Sequence, residues 1–307
     1  MGADRESANT GSGATRGGAN RGAGTGGADA TGIVVREPEG MEELRALEAL
    51  QLEVWGFEAI EAVPAAHIRA TQHAGGMVLG AFANGRLAGF AYGFAALPHG
   101  PWERGTGVHS HMVAVRPAFQ GTGVGRRLKW AQRTWCLERG IDWMTWTFDP
   151  MQARNARLNF HHLGARSREY LIDFYGTMPG ALGGNQASDR LLAFWDLRDE
   201  GVSQRAGRFT VGLGPEAEPL PDAAWILERG VAGEPLARPA ADGARALRVA
   251  VPEDATRLLG SEPQAAARWR HAVREALEPR VGRGYLVTAF EGGAYLLERE
   301  RAPRNDR

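Results

Sequence analysis

The chain has 307 residues, with 36 Lys+Arg balancing 36 Asp+Glu and 43% of its residues hydrophobic. The charge balance excludes a polybasic binder of nucleic acid or anionic membrane, since no long-range field steers such partners, and no apolar stretch is long enough for a membrane helix. The length allows one good core and a second small one, and a single cysteine excludes a disulfide framework or a cysteine-based metal site and suits a reducing cytoplasm.

Residues 1–31 carry almost nothing large and apolar, so a disordered tail is expected there; it lacks the apolar core of a secretory signal, and a soluble, cytoplasmic protein is expected. The run IVVREP, 33–38, predicts a strand entering a helix started by Pro38, with Leu44, Leu47 and Leu52 near one face and a stop at Gly56. A short helix is predicted over 65–74. Two apolar runs around Asn84-Gly85 predict a hairpin, because both central positions of a type I′ turn need positive φ.

A Pro- and Gly-rich loop, 97–108, leads into the strand VHSHMVAV, the glycine turn QGTGVG at 120–125, and a helix from about Gly123 to Glu138. A strand is expected over 141–149, with Pro150 opening a helix that Gly164 ends. Two more strands are expected around 168–175 and 190–197, followed by a connection over 200–243 with a strand near Trp225. The remainder reads β-α-β-β: a strand at 245–252, a helix with Ala266, Trp269, Val273 and Leu277 on one stripe, and a hairpin around Gly292-Gly293.

Nucleotide loops do not fit QGTGVG. A dinucleotide fingerprint needs a glycine where Arg126 stands, and a Walker loop needs a Gly-Lys-Ser/Thr that is absent. Small residues at a helix N-terminus do leave backbone N–H groups bare for a pyrophosphate, and Arg126, Arg127 and Lys129 add local positive charge. His109 and His111, two apart on a strand, share a face, and an imidazole with an ordinary pKa of about 6.5 suits taking a proton from an amine near neutral pH. A satisfied pair of polar residues is the plain alternative. Cys136, between Trp135 and Leu137, reads as a small buried apolar residue.

The run V-R-P-A-F-Q-G-T-G-V-G after a strand resembles the Gln/Arg-x-x-Gly-x-Gly/Ala signature of the GCN5-related N-acetyltransferase (GNAT) superfamily, and the element order over 32–198 is similar to it. With TFDP, NARLNFHHLGA and the C-terminal segment, the chain resembles a longer bacterial branch of that superfamily. The resemblance implies an α/β (α+β) GNAT acyl-CoA acyltransferase fold, a mixed central sheet with splayed fourth and fifth strands. The organisation it implies is a tail over 1–31, an acyltransferase domain over 32–198, a connecting segment over 199–243 and a β-α-β-β appendage over 244–307.

It implies acetyl-CoA or another short acyl-CoA as co-substrate, without a metal. Gln120, Gly121, Thr122, Gly123, Val124, Gly125 and Arg126 would hold the pyrophosphate, Asn155 the pantetheine amides, and the pantetheine would run beside Val113, Ala114 and Val115. A backbone N–H of these three, Val113 foremost, would polarise the thioester carbonyl. The His-x-His pair resembles arylalkylamine N-acetyltransferases, and His109 falls where histone acetyltransferases place a glutamate base, so His109 is preferred to His111.

Where many members carry a general-acid tyrosine, this chain has Phe160, leaving His161, Tyr175 and Tyr92 as fallback donors. The expected acceptor is a small amine, amino acids ahead of aryl amines, attacking the thioester directly in a ternary complex. Arg154, Arg166, Arg168 and Arg190 offer forks for a carboxylate of the acceptor or of a dicarboxylic acyl group such as succinyl. Trp143 and Trp146 point to opposite faces of their strand, so at most one lines the acceptor pocket. The alternative is an acyl-CoA-binding sensor or interaction module that has lost its chemistry, motivated by Phe160. Neither nucleic acid nor membrane is expected as a partner; apolar surface from Trp269, Tyr285 and Tyr295 leaves the C-terminal segment open as a dimerisation element, giving a homodimer, or as a lid.

Overall fold

A computed structural model of the chain describes residues 32–56, 58–98, 105–176, 186–216, 221–239 and 243–300; the tail expected over 1–31 and part of the loop expected over 97–108 lie outside them. Strand β1 (Ile33–Arg36) precedes helix α1 (Gly40–Trp55), which begins at Gly40 rather than Pro38. Its buried stripe is Leu44, Leu47, Leu50 and Gln51, and Leu52, expected on that face, is exposed. At 3.6 residues per turn, positions 44, 47 and 51 return to one side, and 52 lies past its edge.

Helix α2 (Ala65–His73) and strands β2 (Met77–Ala83), β3 (Arg86–Ala96) and β4 (Gly107–Val115) follow. Asn84 (φ 49°) and Gly85 (φ 76°) both take the left-handed conformation that the tight β2–β3 turn requires. Next come α3 (Val124–Leu137), β5 (Trp143–Phe148), α4 (Ala153–Ala156) continued by a π-helical segment (Arg157–His162), β6 (Arg166–Leu171), β7 (Arg190–Asp196) and α5 (Glu200–Thr210). Helix α4 starts at Ala153, not Pro150. The Asp149 carboxylate accepts the Met151 N–H at 2.9 Å, and the Gln152 N–H reaches the Asp149 carbonyl at 3.0 Å, closing a turn ahead of the helix.

The chain ends with β8 (Ala224–Arg229), β9 (Pro235–Ala237), β10 (Ala246–Ala250), α6 (Ala255–Ser261), α7 (Pro263–Leu277), β11 (Tyr285–Glu291) and β12 (Ala294–Arg299). Among the described residues the strands lie in one 12-stranded order, β1-β2-β3-β4-β5-β7-β6-β11-β12-β10-β8-β9. The mixed α/β fold with a mostly antiparallel sheet is the one expected. The C-terminal strands extend the same sheet, joined to it where Ser167 of β6 pairs with Val287 of β11.

Helices α1 and α2 cover one face of β2–β4, where Leu44, Leu47 and Ile68 meet Phe82, Phe90, Tyr92 and Met112. Helix α3, the π-helical segment and the C-terminal helices share the other core, with Leu128, Phe160, Trp195, Trp269 and Tyr295. Burying each such side chain contributes about 1.5–3 kcal/mol. Polar contacts fasten the C-terminal part to the rest: Arg270 donates to both Asp149 oxygens at 2.5 and 2.8 Å, Arg274 to both Asp189 oxygens at 2.8 and 2.6 Å, and the Tyr295 hydroxyl to the Pro150 carbonyl at 2.7 Å. Trp269 and Tyr295 are fully buried, and the Tyr285 hydroxyl donates to the Ala244 carbonyl at 2.8 Å. Of the three aromatic residues offered as apolar surface for a dimerisation or lid role, Trp269 and Tyr295 are thus buried inside the chain and Tyr285 is half-buried.

Candidate active site

Strands β4 and β5 run parallel and pair at Val108↔Met144 and His109↔Thr145 only. Beyond that point their edges part, and a cleft of about 2290 Å³ opens between them. The Arg116 N–H donates to the Ala88 carbonyl at 2.8 Å, so alternation along β4 directs the backbone of Ala114 to β3 and that of Val113 and Val115 to the open edge. Val113 and Val115 line the cleft. Ala114, expected beside them, does not: its side chain is buried in the core under α1 and its backbone is committed to Phe90 of β3.

The glycine turn forms one end of the cleft, whose wall takes in every residue from Gln120 to Arg126. Gly121 (φ 79°) and Gly123 (φ 92°) both sit in the left-handed region, which keeps the backbone bare as it enters α3. The first helical bond runs from the Arg127 N–H to the Gly123 carbonyl at 3.0 Å, leaving the N–H groups of Val124, Gly125 and Arg126 without intrahelical partners at the positive end of the helix. The Gln120 side chain donates to the Val115 carbonyl at 3.1 Å and ties the turn to the open strand edge. Asn155, exposed at the start of α4, lines the opposite wall.

The two histidines share a face, with ring centroids 6.4 Å apart, but only His111 lines the cleft. The His109 ring stacks on Phe94 at 5.4 Å, and its Nδ1 lies 3.0 Å from the Thr145 hydroxyl of β5. Of the two expected histidines, the structure thus brings His111 and not His109 to the cleft wall. A bulge explains the placement: Tyr92 pairs with Met112 and Phe94 with His109, so Gly93 alone opposes Ser110 and His111. His111 stands beside the rings of Tyr92 (6.3 Å) and Phe94 (5.7 Å), and although part of it is open to solvent, this crowding desolvates the ring and lowers its pKa below the ordinary 6.5.

Lys129 departs furthest from expectation. Instead of adding charge near the turn it is buried beneath the cleft, its Nζ 3.6 Å from the centre of the Trp146 ring and donating to the Ser110 hydroxyl at 3.1 Å. Burial holds its pKa well below the ordinary lysine value. Ser110 also accepts from Gln132 Nε2 at 2.9 Å. The Trp146 Nε1–H donates to Asn159 Oδ1 at 3.2 Å, while the buried Asn159 Nδ2 meets no protein acceptor. The only warning in the sequence was that the chain's one lysine falls three residues before Gln132 and seven before Cys136, on a face that α3 buries.

Phe160 is buried against Phe148 and Tyr295 and reaches no reacting group. Of the fallback donors, Tyr175 lines the cleft, its hydroxyl 3.1 Å from that of Thr147 on β5. Tyr92 instead bonds Thr71 at 3.0 Å, and the His161 ring lies against His162 at 5.0 Å. His162 faces the cleft with its pKa pushed down to about 4, by burial first and then by His161, Arg126 and Arg157. Burial raises the Cys136 thiol to about 12, so it stays protonated and apolar in character. Among the arginine forks, Arg166 pairs with Asp199 at 3.8 Å and Arg168 with Glu300 at 2.7 Å, whereas Arg154 and Arg190 line the cleft.

Trp146 lines the cleft and Trp143 does not, as opposite faces of β5 require. The C-terminal part adds Gly233, Arg257, Arg268 and Trp269 to the wall. Among the described residues no group of three or more His, Cys, Asp and Glu side chains is placed to hold a metal ion, and no helix is long and apolar enough to cross a membrane.

Residues 41–165 match the family model of the acetyltransferase (GNAT) family. No curated protein matches the chain. Among solved structures, the chain is similar to the ribosomal-protein-S18-alanine N-acetyltransferase of Escherichia coli, with 17% identity and a TM-score of 0.43 over 54% of this chain and 94% of that one. It is similar to yncA of Salmonella typhimurium, solved with its cofactor acetyl-CoA, with 21% identity and a TM-score of 0.43 over 55% and 95% of the two chains. An N-acetyltransferase from Staphylococcus aureus Mu50 matches at 15% identity and a TM-score of 0.42, over 54% and 99%.

Proposed function

We propose, on the premise that residues 41–165 belong to the GNAT acetyltransferase family, that the chain transfers a short acyl group from coenzyme A to the nitrogen of a small amine, amino acids ahead of aryl amines. The observation that carries this reading is the junction of a bare helix N-terminus with the unpaired edge of β4 in one cleft. The residues fit the group: Gly121 and Gly123 hold a turn that residues with a Cβ rarely adopt, and the free N–H groups of Val124, Gly125 and Arg126 suit a pyrophosphate. A bound acyl-CoA supplies an activated acyl carbon and a thiolate leaving group.

Every other part is played by side chains and backbone of this chain. The Val113 N–H, turned to the open edge, supports the oxygen on which charge develops. His111, neutral at pH 7 because its pKa is lowered by desolvation, accepts the proton that the acceptor amine gives up. His109 is a positioning residue, holding the Phe94 ring against His111 while its Nδ1 engages Thr145. Tyr175, at the β5 edge beside Thr147, gives a proton to the departing sulfur and regains one from solvent. Phe160 takes no part, and Tyr175 on the cleft wall favours this reading over a binding module without chemistry.

Turnover measured over a panel of amines with acetyl-CoA and succinyl-CoA tests the proposal. Amide formation that falls on His111→Ala is the expected result. Binding of CoA with no transfer to any amine would support the sensor reading instead.

A further inference from the structure

The cleft floor holds a basic group that no described carboxylate neutralises. Lys129 is 3% exposed and lies against Trp146 and Ser110, and among the described residues no carboxylate pairs with it. A buried ammonium is unfavourable without a counter-charge, and the bond to Ser110 and the contact with Trp146 supply none. It is also the only lysine in the 307 residues. A second, independent observation stands beside it: Asn159, 3% exposed and on the same cleft wall, has its Nδ2 donor unmet by protein.

Both donors are arranged around one side chain. The Lys129 Nζ sits over the face of the Trp146 indole at 3.6 Å, and Asn159 is held at the indole edge by its 3.2 Å bond from Trp146 Nε1. Ser110, which positions the amine, belongs to the bulged stretch of β4 where the splay begins. An amine donor and an amide donor thus border the cleft beneath the strand edge assigned above to the thioester.

Resting on that assignment, we infer that Lys129 and Asn159 form a subsite for a carboxylate at the far end of the donor's acyl chain, so that the co-substrate class is the coenzyme A monothioester of a dicarboxylic acid. The carboxylate would take one bond from the Lys129 ammonium and one from the Asn159 amide. Binding returns to Lys129 the proton that burial removes, and the ion pair forms away from water. Acetyl, which ends in a methyl group, leaves both donors unmet.

Calorimetric titration of CoA, acetyl-CoA, malonyl-CoA and succinyl-CoA into the full-length chain tests this by binding rather than by turnover. Malonyl- or succinyl-CoA should bind at least about ten-fold more tightly than acetyl-CoA, as a charge-assisted pair implies. Lys129→Met should abolish that preference while the affinity for CoA itself stays within about two-fold. Asn159→Asp provides a second variant whose folding does not depend on replacing the lysine: its carboxylate keeps the bond from Trp146, becomes an internal partner for Lys129, and should erase the preference too. Equal affinities in the unaltered chain, or a preference that survives both substitutions, would overturn the subsite. Absence of binding by CoA and by all three thioesters would instead remove the acyltransferase assignment on which it rests.

Discussion

His111 and Lys129 are both basic groups whose pKa burial lowers, and they make different predictions. For His111 the lowered value means the ring is neutral through most of the physiological range, so turnover should rise with pH through a midpoint below 6.5 and be level by pH 7. His111→Ala should lower kcat by about 10²-fold or more, within the usual range for loss of a general base, whereas His109→Ala should have a smaller effect and leave the midpoint in place. For Lys129 the consequence is a stability trend. The unfolded chain holds a proton there up to about pH 10.4 that the folded chain sheds at a lower pH, so the unfolded state binds more protons and stability rises with pH between the two values. Lys129→Met, melted across pH 7 to 9 beside the parent chain, should remove that slope and melt no lower at pH 7. A lysine that titrates normally would give parallel curves.

The elements were legible wherever a local rule fixes them. Asn84-Gly85 marked its hairpin because few residues take the required φ, and the glycines before α3 marked the turn for the same reason. What the pattern could not show was the relation between neighbours. The bulge opposite Gly93 and the early parting of β4 from β5 decide that His111 rather than His109 lines the cleft, and neither leaves a mark on the spacing of the two residues. Helix α5 falls in a stretch whose many Pro and Gly residues read as connection, although Val202, Ala206 and Phe209 at helical spacing pack on the core; its other local signal is Asp199, whose carboxylate accepts the Val202 N–H at 3.1 Å.

The same turn yields a prediction that separates backbone conformation from space. Gly123→Ala places a Cβ at φ 92° and should cost about 1 kcal/mol or more of stability with a loss of affinity for CoA. Gly125 lies inside the helix, where a Cβ would meet only Val115 Cγ2 at 3.7 Å. Gly125→Ala should therefore fold at least as stably, by up to about 1 kcal/mol. Denaturant titration of the two variants reads the difference, and equal destabilisation would count against the turn geometry.

At the scale of the whole molecule, the C-terminal part reads as an appendage in sequence and as a continuation of the sheet in structure. Pairing between β6 and β11 joins elements more than 100 residues apart, and long-range pairing is what a windowed pattern cannot see. Two arginines of α7 lock the joint. Arg270 and Asp149 are both largely buried, so Arg270→Ala should lower stability by about 3–5 kcal/mol by leaving the carboxylate without its partner.

Asp189 gives the joint a pH dependence. Burial alone would raise its pKa, but hydrogen bonds from Arg274, Tyr170 and the Asp173 N–H outweigh it and hold the value below the ordinary one. The stabilisation is therefore present above the unfolded carboxylate's pKa of about 3.9 and fades as pH falls through the lower folded value. Asp189→Asn should melt earlier than the parent chain at pH 7 and lose less on acidification to pH 3.

The central claim is that the bare N-terminus of α3 and the open edge of β4 together hold coenzyme A. Titration of CoA into the purified full-length chain, followed by heat of binding and repeated on Gly123→Ala, tests it most directly. One saturable site per chain, weakened about ten-fold or more by the substitution, is the predicted result. No heat of binding, or binding unaffected by Gly123→Ala, would contradict it.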